Sequence, residues 1–169
     1  MQPNTPDKLS SENYAEILEF LKSHPIGVLA TIDENGDPNA STIYFSVDDK
    51  LRISFTTKRE TRKFENIARH NKVALVAYEA KDQSAVQVSG RAEEVKDEQE
   101  ALDIYNGTVN AAKKTSEDNV PPVAKYSGGP FAAFRIEIED IRLMAYGKGD
   151  RFSKSMEKAS SPPSTGDPS

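Results

Sequence analysis

The strongest constraint on this chain is an alternation of period two that runs through two neighbouring segments. Ile43, Phe45 and Val47 alternate with Thr42, Tyr44 and Ser46, and Leu51, Ile53 and Phe55 alternate with Arg52 and Ser54. A period of two gathers every second side chain on one face, as a half-buried strand requires, whereas a helix would scatter that set around its axis. With Asp48-Asp49-Lys50 between the arms, the pattern predicts a β-hairpin whose arms are 39–47 and 51–55.

The rest of the pattern extends this β character. Strands are expected over 27–32, 73–79, 85–95 and 131–146, with a turn centred on Asn35-Gly36 after the first. Gly90 inside its strand points to a bulge or bend, and the last strand changes apolar parity at Glu139-Asp140, which implies a bulge or corner. Tyr14, Ile17, Leu18 and Leu21 sit at helical spacing, with Ser10 or Ser11 placed to cap and Pro25 to stop the helix. A second helix is expected over 97–114, with Asn106-Gly107 ending or breaking it, and 116–130 reads as a loop. The fold class is therefore mainly β with α additions: five or six short strands forming a small barrel with flanking helices. Segments 1–9 and 153–169 are rich in Pro, Ser and charge and hold too little apolar area to offset backbone ordering. Both are expected to be disordered, leaving one domain over 10–152.

Composition narrows the chemistry. The 169 residues include no cysteine, which removes disulfides, thiolate metal sites and cysteine nucleophiles, and only two histidines, His24 and His70. A metal site built from several imidazoles is not expected. A net charge of −5 argues against a general nucleic-acid surface. No apolar run reaches the roughly 18 residues that a membrane helix needs, and residues 1–8 lack the character of a signal peptide. A soluble, cytoplasmic protein without a membrane partner is the expectation.

One stretch concentrates charge against the overall balance. Between the hairpin and the next strand, Lys58, Arg59, Arg62 and Lys63 accompany the hydroxyls of Thr57 and Thr61. Thr57-x-x-Glu60 has the form of a capping box, which would start a helix at Lys58 with Phe64, Ile67 and Ala68 as its buried stripe. A helix start offers free N–H groups and positive potential, so this turn suits a phosphate. The same residues also suit an ordinary solvated helix face, and by themselves they leave both readings open. His70, at the end of that helix, reads as a cap rather than a metal or haem ligand, and His24 has an equally plain reading.

Four pieces carry a resemblance. They are 24–31 (His-Pro-Ile-Gly-Val-Leu-Ala-Thr), 36–45 (Gly-Asp-Pro-Asn-Ala-Ser-Thr-Ile-Tyr-Phe), 53–57 with Thr61-Arg62-Lys63 and Asn66, and 86–93. In that order the chain resembles the FMN-binding split-barrel proteins of the pyridoxamine 5′-phosphate oxidase-like family. The resemblance implies a six-stranded antiparallel split β-barrel and a homodimer with flavin sites at the interface. It also implies that Thr57, Thr61 and Lys63, with Arg62 beside them and Thr56 at the strand end, hold the FMN phosphate, and that Ser41, Thr42, Ile43 and Tyr44 lie along the flavin ring. Thr57 and Lys63 are expected to be exposed in an empty site. Gln87 or backbone amides are candidate donors to the ring edge, and Tyr44 and Tyr126 candidate stacking partners.

The departures from the family pattern bear on activity. Serines stand at both ends of 41–46 where true pyridoxamine phosphate oxidases carry basic residues, Ala85 replaces a glutamine, and there is no tryptophan and no histidine after His70. Vitamin B6 oxidation is disfavoured, and the chain resembles the general-stress-protein-like branch instead. The implied function is an FMN-binding oxidoreductase acting on an unidentified small molecule; the alternatives are an F420- or haem-binding split barrel, or a dimeric binding module without catalysis. The absence of an acid–base constellation is compatible with flavin chemistry, because the cofactor itself carries the hydride.

Overall fold

A computed structural model describes residues 11–121, 124 and 130–145 of the chain. The expectations for 1–9, Ser10, Tyr126, Tyr146 and 153–169 lie outside the described residues. Ten elements follow in order: α1 (Ser11–Ser23), β1 (Ile26–Ile32), β2 (Pro38–Tyr44), β3 (Ser46–Val47), β4 (Ile53–Lys58), α2 (Arg62–Arg69), β5 (Lys72–Glu79), β6 (Ser84–Glu94), α3 (Glu98–Thr115) and β7 (Phe131–Ala145). All strand pairs are antiparallel, and the seven strands form one sheet in the order β2-β1-β5-β6-β7-β4-β3.

That order shows how the sheet curls. β2 and β3 are its two opposite edges, yet a single residue, Phe45, separates them in the chain. The sheet must therefore wrap almost upon itself, giving a β-barrel split along the β2–β3 edges. Phe45 is fully buried at this join, and its N–H donates to the Pro25 carbonyl at 2.9 Å. The barrel holds Leu29, Phe55, Ile53, Val86, Phe134 and Ile136, and α1 closes part of it with Ile17 and Leu21. The count is seven strands rather than six because β3 is a separate two-residue strand.

The expected hairpin is only partly realised. β2 spends its pairing on β1, from Ile26↔Tyr44 to Ile32↔Pro38, and only Ser46–Val47 pairs with Ile53 and Ser54. Period two identifies the face a strand buries and leaves its neighbour unspecified. The Asn35-Gly36 turn decides the pairing: Gly36 has φ +84°, and the Asp33 carboxylate accepts the N–H groups of Asn35 and Asp37.

The two signals at Gly90 and Glu139 are one feature. The β6–β7 register passes from Ser89↔Asp140 to Gly90↔Ile138, so Glu139 is the extra residue of a bulge. A Cβ at position 90 would lie 2.0 Å from the Glu137 carbonyl oxygen, which is why glycine stands opposite the bend. In contrast, α3 runs unbroken through Asn106-Gly107. A helix tolerates one glycine at about 1 kcal/mol, and here a Cβ at 107 would stand only 3.3 Å from Ser46 Oγ. Gly107 thus permits close packing of α3 on the outer face of the barrel rather than ending the helix.

Candidate phosphate cradle and strand edge

The predicted capping box is corrected by the structure. Thr57 remains in the β4–β7 ladder opposite Ala132, and Lys58 still pairs with Phe131, so extended backbone persists past the expected helix start. Arg59 and Glu60 then form a turn closed by Thr61 N–H to the Lys58 carbonyl, and α2 begins at Arg62. Thr61 is the true N-cap: its Oγ1 accepts the Phe64 N–H at 3.2 Å. The shift carries the free first-turn N–H groups and the positive helix end to Arg62 and Lys63.

The hydroxyls of Thr57 and Thr61 meet at 2.9 Å, and Thr61 Oγ1 donates to the Lys58 carbonyl at 2.8 Å. Thr61 has one hydroxyl proton and gives it to that carbonyl, so Thr57 is the donor between the two threonines. Thr57 is buried, against the expectation of exposure, and Lys63 is half-buried. Burial pushes the Lys63 ammonium below the ordinary lysine value, and no carboxylate pairs with it among the described residues. Lys63 is thus a partly desolvated cation in the first turn of a helix whose N-cap hydroxyl meets that of Thr57.

The neighbouring cations differ in how they are engaged. Arg59 pairs with Glu94 and lies 5.2 Å from the centre of the Phe64 ring. Arg62 Nη1 donates to Asn39 Oδ1 at 3.1 Å, which ties the start of α2 to the start of β2. Sequence reasoning did not assign Asn39 a role, although it follows the Asn-Gly turn directly.

On β2 the alternation divides the four expected ring-side residues. Ile43 is buried in the core and Ser41 lies half-buried with the same parity, opposite Leu29. Thr42 and Tyr44 take the outward face, opposite Val28 and Ile26. As an edge strand, β2 turns every second N–H and C=O away from β1, leaving a row of backbone donors and acceptors without a strand partner. Thr56 has the parity of Ser54, the face covered by α3 and opposite to that of Thr57; its Oγ1 is buried without a partner. The structure thus brings the Thr57 and Thr61 hydroxyls together at the start of the helix that carries Arg62 and Lys63, and turns Thr56 to the opposite face.

The histidines are placed as caps and clamps. His70 is the C-cap of α2, its N–H donating to the Asn66 carbonyl. His24 stacks on Phe20, with Nδ1 at 2.9 Å from the Phe20 carbonyl and Nε2 at 3.2 Å from Glu79. Two surface hollows, of about 440 and 300 Å³, lie elsewhere: the first beside the end of α2, the second on the outer sheet face and including Gln87. Neither includes Thr57, Thr61 or Lys63. Among the described residues no helix is long and apolar enough to cross a membrane.

Comparison with known proteins agrees with this architecture. The sequence model of the pyridoxamine 5′-phosphate oxidase family matches residues 14–145, and the chain belongs to that family. No curated protein matches it. Among solved structures it is similar to a heme binding protein from Mycobacterium smegmatis (18% identity, TM-score 0.65, covering 91% of this chain and 59% of that one). It is also similar to the general stress protein 26 from Bacillus anthracis (19%, 0.58, covering 77% and 92%). A third is a pyridoxamine 5′-phosphate oxidase-related, FMN binding protein from Nostoc punctiforme (13%, 0.60, covering 92% and 97%). At these identities the likenesses establish the shared fold.

Proposed function

We propose that this chain is an FMN-binding flavoprotein that works as a homodimer and transfers electrons to or from a small molecule other than pyridoxamine phosphate. The observation that carries the reading is Lys63: a half-buried ammonium without a carboxylate partner among the described residues, at the start of a helix whose cap is Thr61. Thr57, Thr61, Arg62 and Lys63 would hold the phosphate. Thr57 now donates to Thr61 and Thr61 to the Lys58 carbonyl, so accepting an anion requires only that a hydroxyl rotate away from its present acceptor. The edge of β2 over Ser41, Thr42, Ile43 and Tyr44 would hydrogen-bond the polar rim of the ring. A bound flavin supplies hydride or single-electron transfer, and the protein contributes orientation and electrostatics.

Homodimerisation is supported by an apolar face that no described residue covers. Ile26, Val28, Ala30, Ala74 and Val76 share one side of β1 and β5, and Ile26, Val28 and Tyr78 are among the most exposed large apolar residues described. Thr42 and Tyr44 lie on the same side, so a second subunit covering it would also enclose the ring-side strand.

Titration of FMN into the cofactor-free protein, followed by quenching of flavin fluorescence, tests the proposal. Saturable binding that weakens in Lys63→Ala supports it. Binding of F420 or haem in place of FMN would transfer the chain to another cofactor class, and no binding of any of them would make it a module without a cofactor.

A further inference from the structure

Three contacts clip α2 to the β1–β2 hairpin, and they recur at i, i+4 and i+7 along one helix face. Arg62 donates to Asn39 at 3.1 Å, Asn66 Nδ2 donates to Thr31 Oγ1 at 3.0 Å, and Arg69 stands 3.5 Å from Glu34. The outer two are exposed, where such contacts contribute little. The middle one is enclosed: Asn66 is 2% exposed and Thr31 3%.

A buried carboxamide in the middle of a short helix is a costly choice unless its partner is held in place. An aliphatic residue at 66 would pack in many settings, since apolar contact has no preferred direction. A hydrogen bond has one, so it fixes both the rotation and the height of α2 on β1. The two elements so joined are those that carry the proposed phosphate cradle and, through β2, the proposed ring-side edge.

We propose that Asn66 and Thr31 form a positioning lock that sets the distance between the α2 cradle and the β2 edge, and so determines how tightly the cofactor is gripped at both ends. The cofactor part rests on the FMN reading above; the lock itself does not. With Thr31→Val the Asn66 amide loses its acceptor while the shape of the site is kept; with Thr31→Ser the hydroxyl is retained.

The test combines amide hydrogen exchange on the cofactor-free protein with FMN titration well below the melting temperature. The variants are Asn66→Ala, Thr31→Val and Thr31→Ser, and Leu21→Ala serves as a core control outside the site. The orphaned amide in Thr31→Val is expected to speed exchange in 62–69 and 33–38 by about tenfold or more while 84–94 keeps its protection. FMN binding is expected to be weakened by a similar factor in Asn66→Ala and Thr31→Val, to be restored to within about twofold in Thr31→Ser, and to be unmoved in Leu21→Ala despite a lower Tm. Unchanged exchange in Thr31→Val, or FMN affinity that merely follows Tm across all variants, overturns the lock. Should the wild-type protein take up no FMN, the cofactor reading falls, and the exchange result alone decides whether the lock exists. Thr31→Val keeps the test open if Asn66→Ala fails to fold.

Discussion

Lys63 illustrates how one residue can be unfavourable for the fold and useful for a site. Burial disfavours its charged form, so the empty fold binds its proton less readily than the unfolded chain does. By linkage, this burial costs stability while Lys63 is charged in the unfolded chain, and the cost fades as pH rises through the lowered folded value. Lys63→Ala is therefore expected to leave Tm at neutral pH unchanged or higher, while weakening FMN binding. A phosphate would restore the charge, so FMN affinity in the wild type is expected to decline at a pH below that of an ordinary lysine. Lys63→Arg, which stays charged throughout, is expected to move that decline upward. Titrations between pH 7 and pH 10, roughly, read both effects. Thr57 behaves differently because it is buried and gives its proton to Thr61. Thr57→Val is expected to cost about 1 kcal/mol of stability as well as affinity, measured by urea denaturation.

At the scale of elements, the turns and bulges set the geometry. The Asp48 carboxylate accepts the N–H groups of Lys50 and Arg52 at 3.0 Å each and the Arg52 guanidinium at 2.6 Å, closing the turn in which Leu51 takes φ +59°. Burial raises the Asp48 pKa, but the hydrogen bonds and charge of Arg52, with Lys50, outweigh it and hold the group below its ordinary value. Its contribution is present above the unfolded carboxylate value and is lost as pH falls through the lower folded one. Asp48→Ala is expected to lose about 1–2 kcal/mol at pH 7, and the gap in Tm from wild type should close in acid. Gly90→Ala is expected to cost about 3 kcal/mol or more, since a carbonyl oxygen occupies the space of the new Cβ; a variant with wild-type stability would show that the bulge relaxes freely.

These elements also show what the sequence could reveal. Strand positions, buried faces and the bulge were legible because parity and glycine report local geometry. The partner of β2 was not, because a strand pattern leaves its neighbour undetermined and the choice lay in the turn at Asn35-Gly36. The helix start was misread by four residues because Thr57 and Thr61 both suit a cap, and only pairing with β7 keeps Thr57 extended. Lys63 and Arg62 stood out as part of a cation cluster, but charge and spacing alone left an anion site and a solvated helix face both open. The Asn66–Thr31 bond joins residues 35 apart, which no local pattern can express.

For the described residues, the curled sheet gives two inequivalent sides: a core closed by α1 and α2, and an outer face on β1 and β5 whose apolar side chains have no cover among those residues. Apolar area of this kind, next to the β2 edge, is what the proposed homodimer would bury. The purified protein is expected to elute as a dimer by light scattering. Val28→Asp, which places a charge opposite Val76 on that face, is expected to shift it to monomer and to weaken FMN binding at the same time. A monomeric wild type that binds FMN tightly would separate the two properties. The most direct measurement for the central claim is the fluorescence titration of FMN into wild type and Lys63→Ala side by side at pH 7. Saturable quenching by the wild type, weakened about tenfold or more in the variant, is the expected result; no saturable quenching, or equal affinity in both proteins, would contradict it.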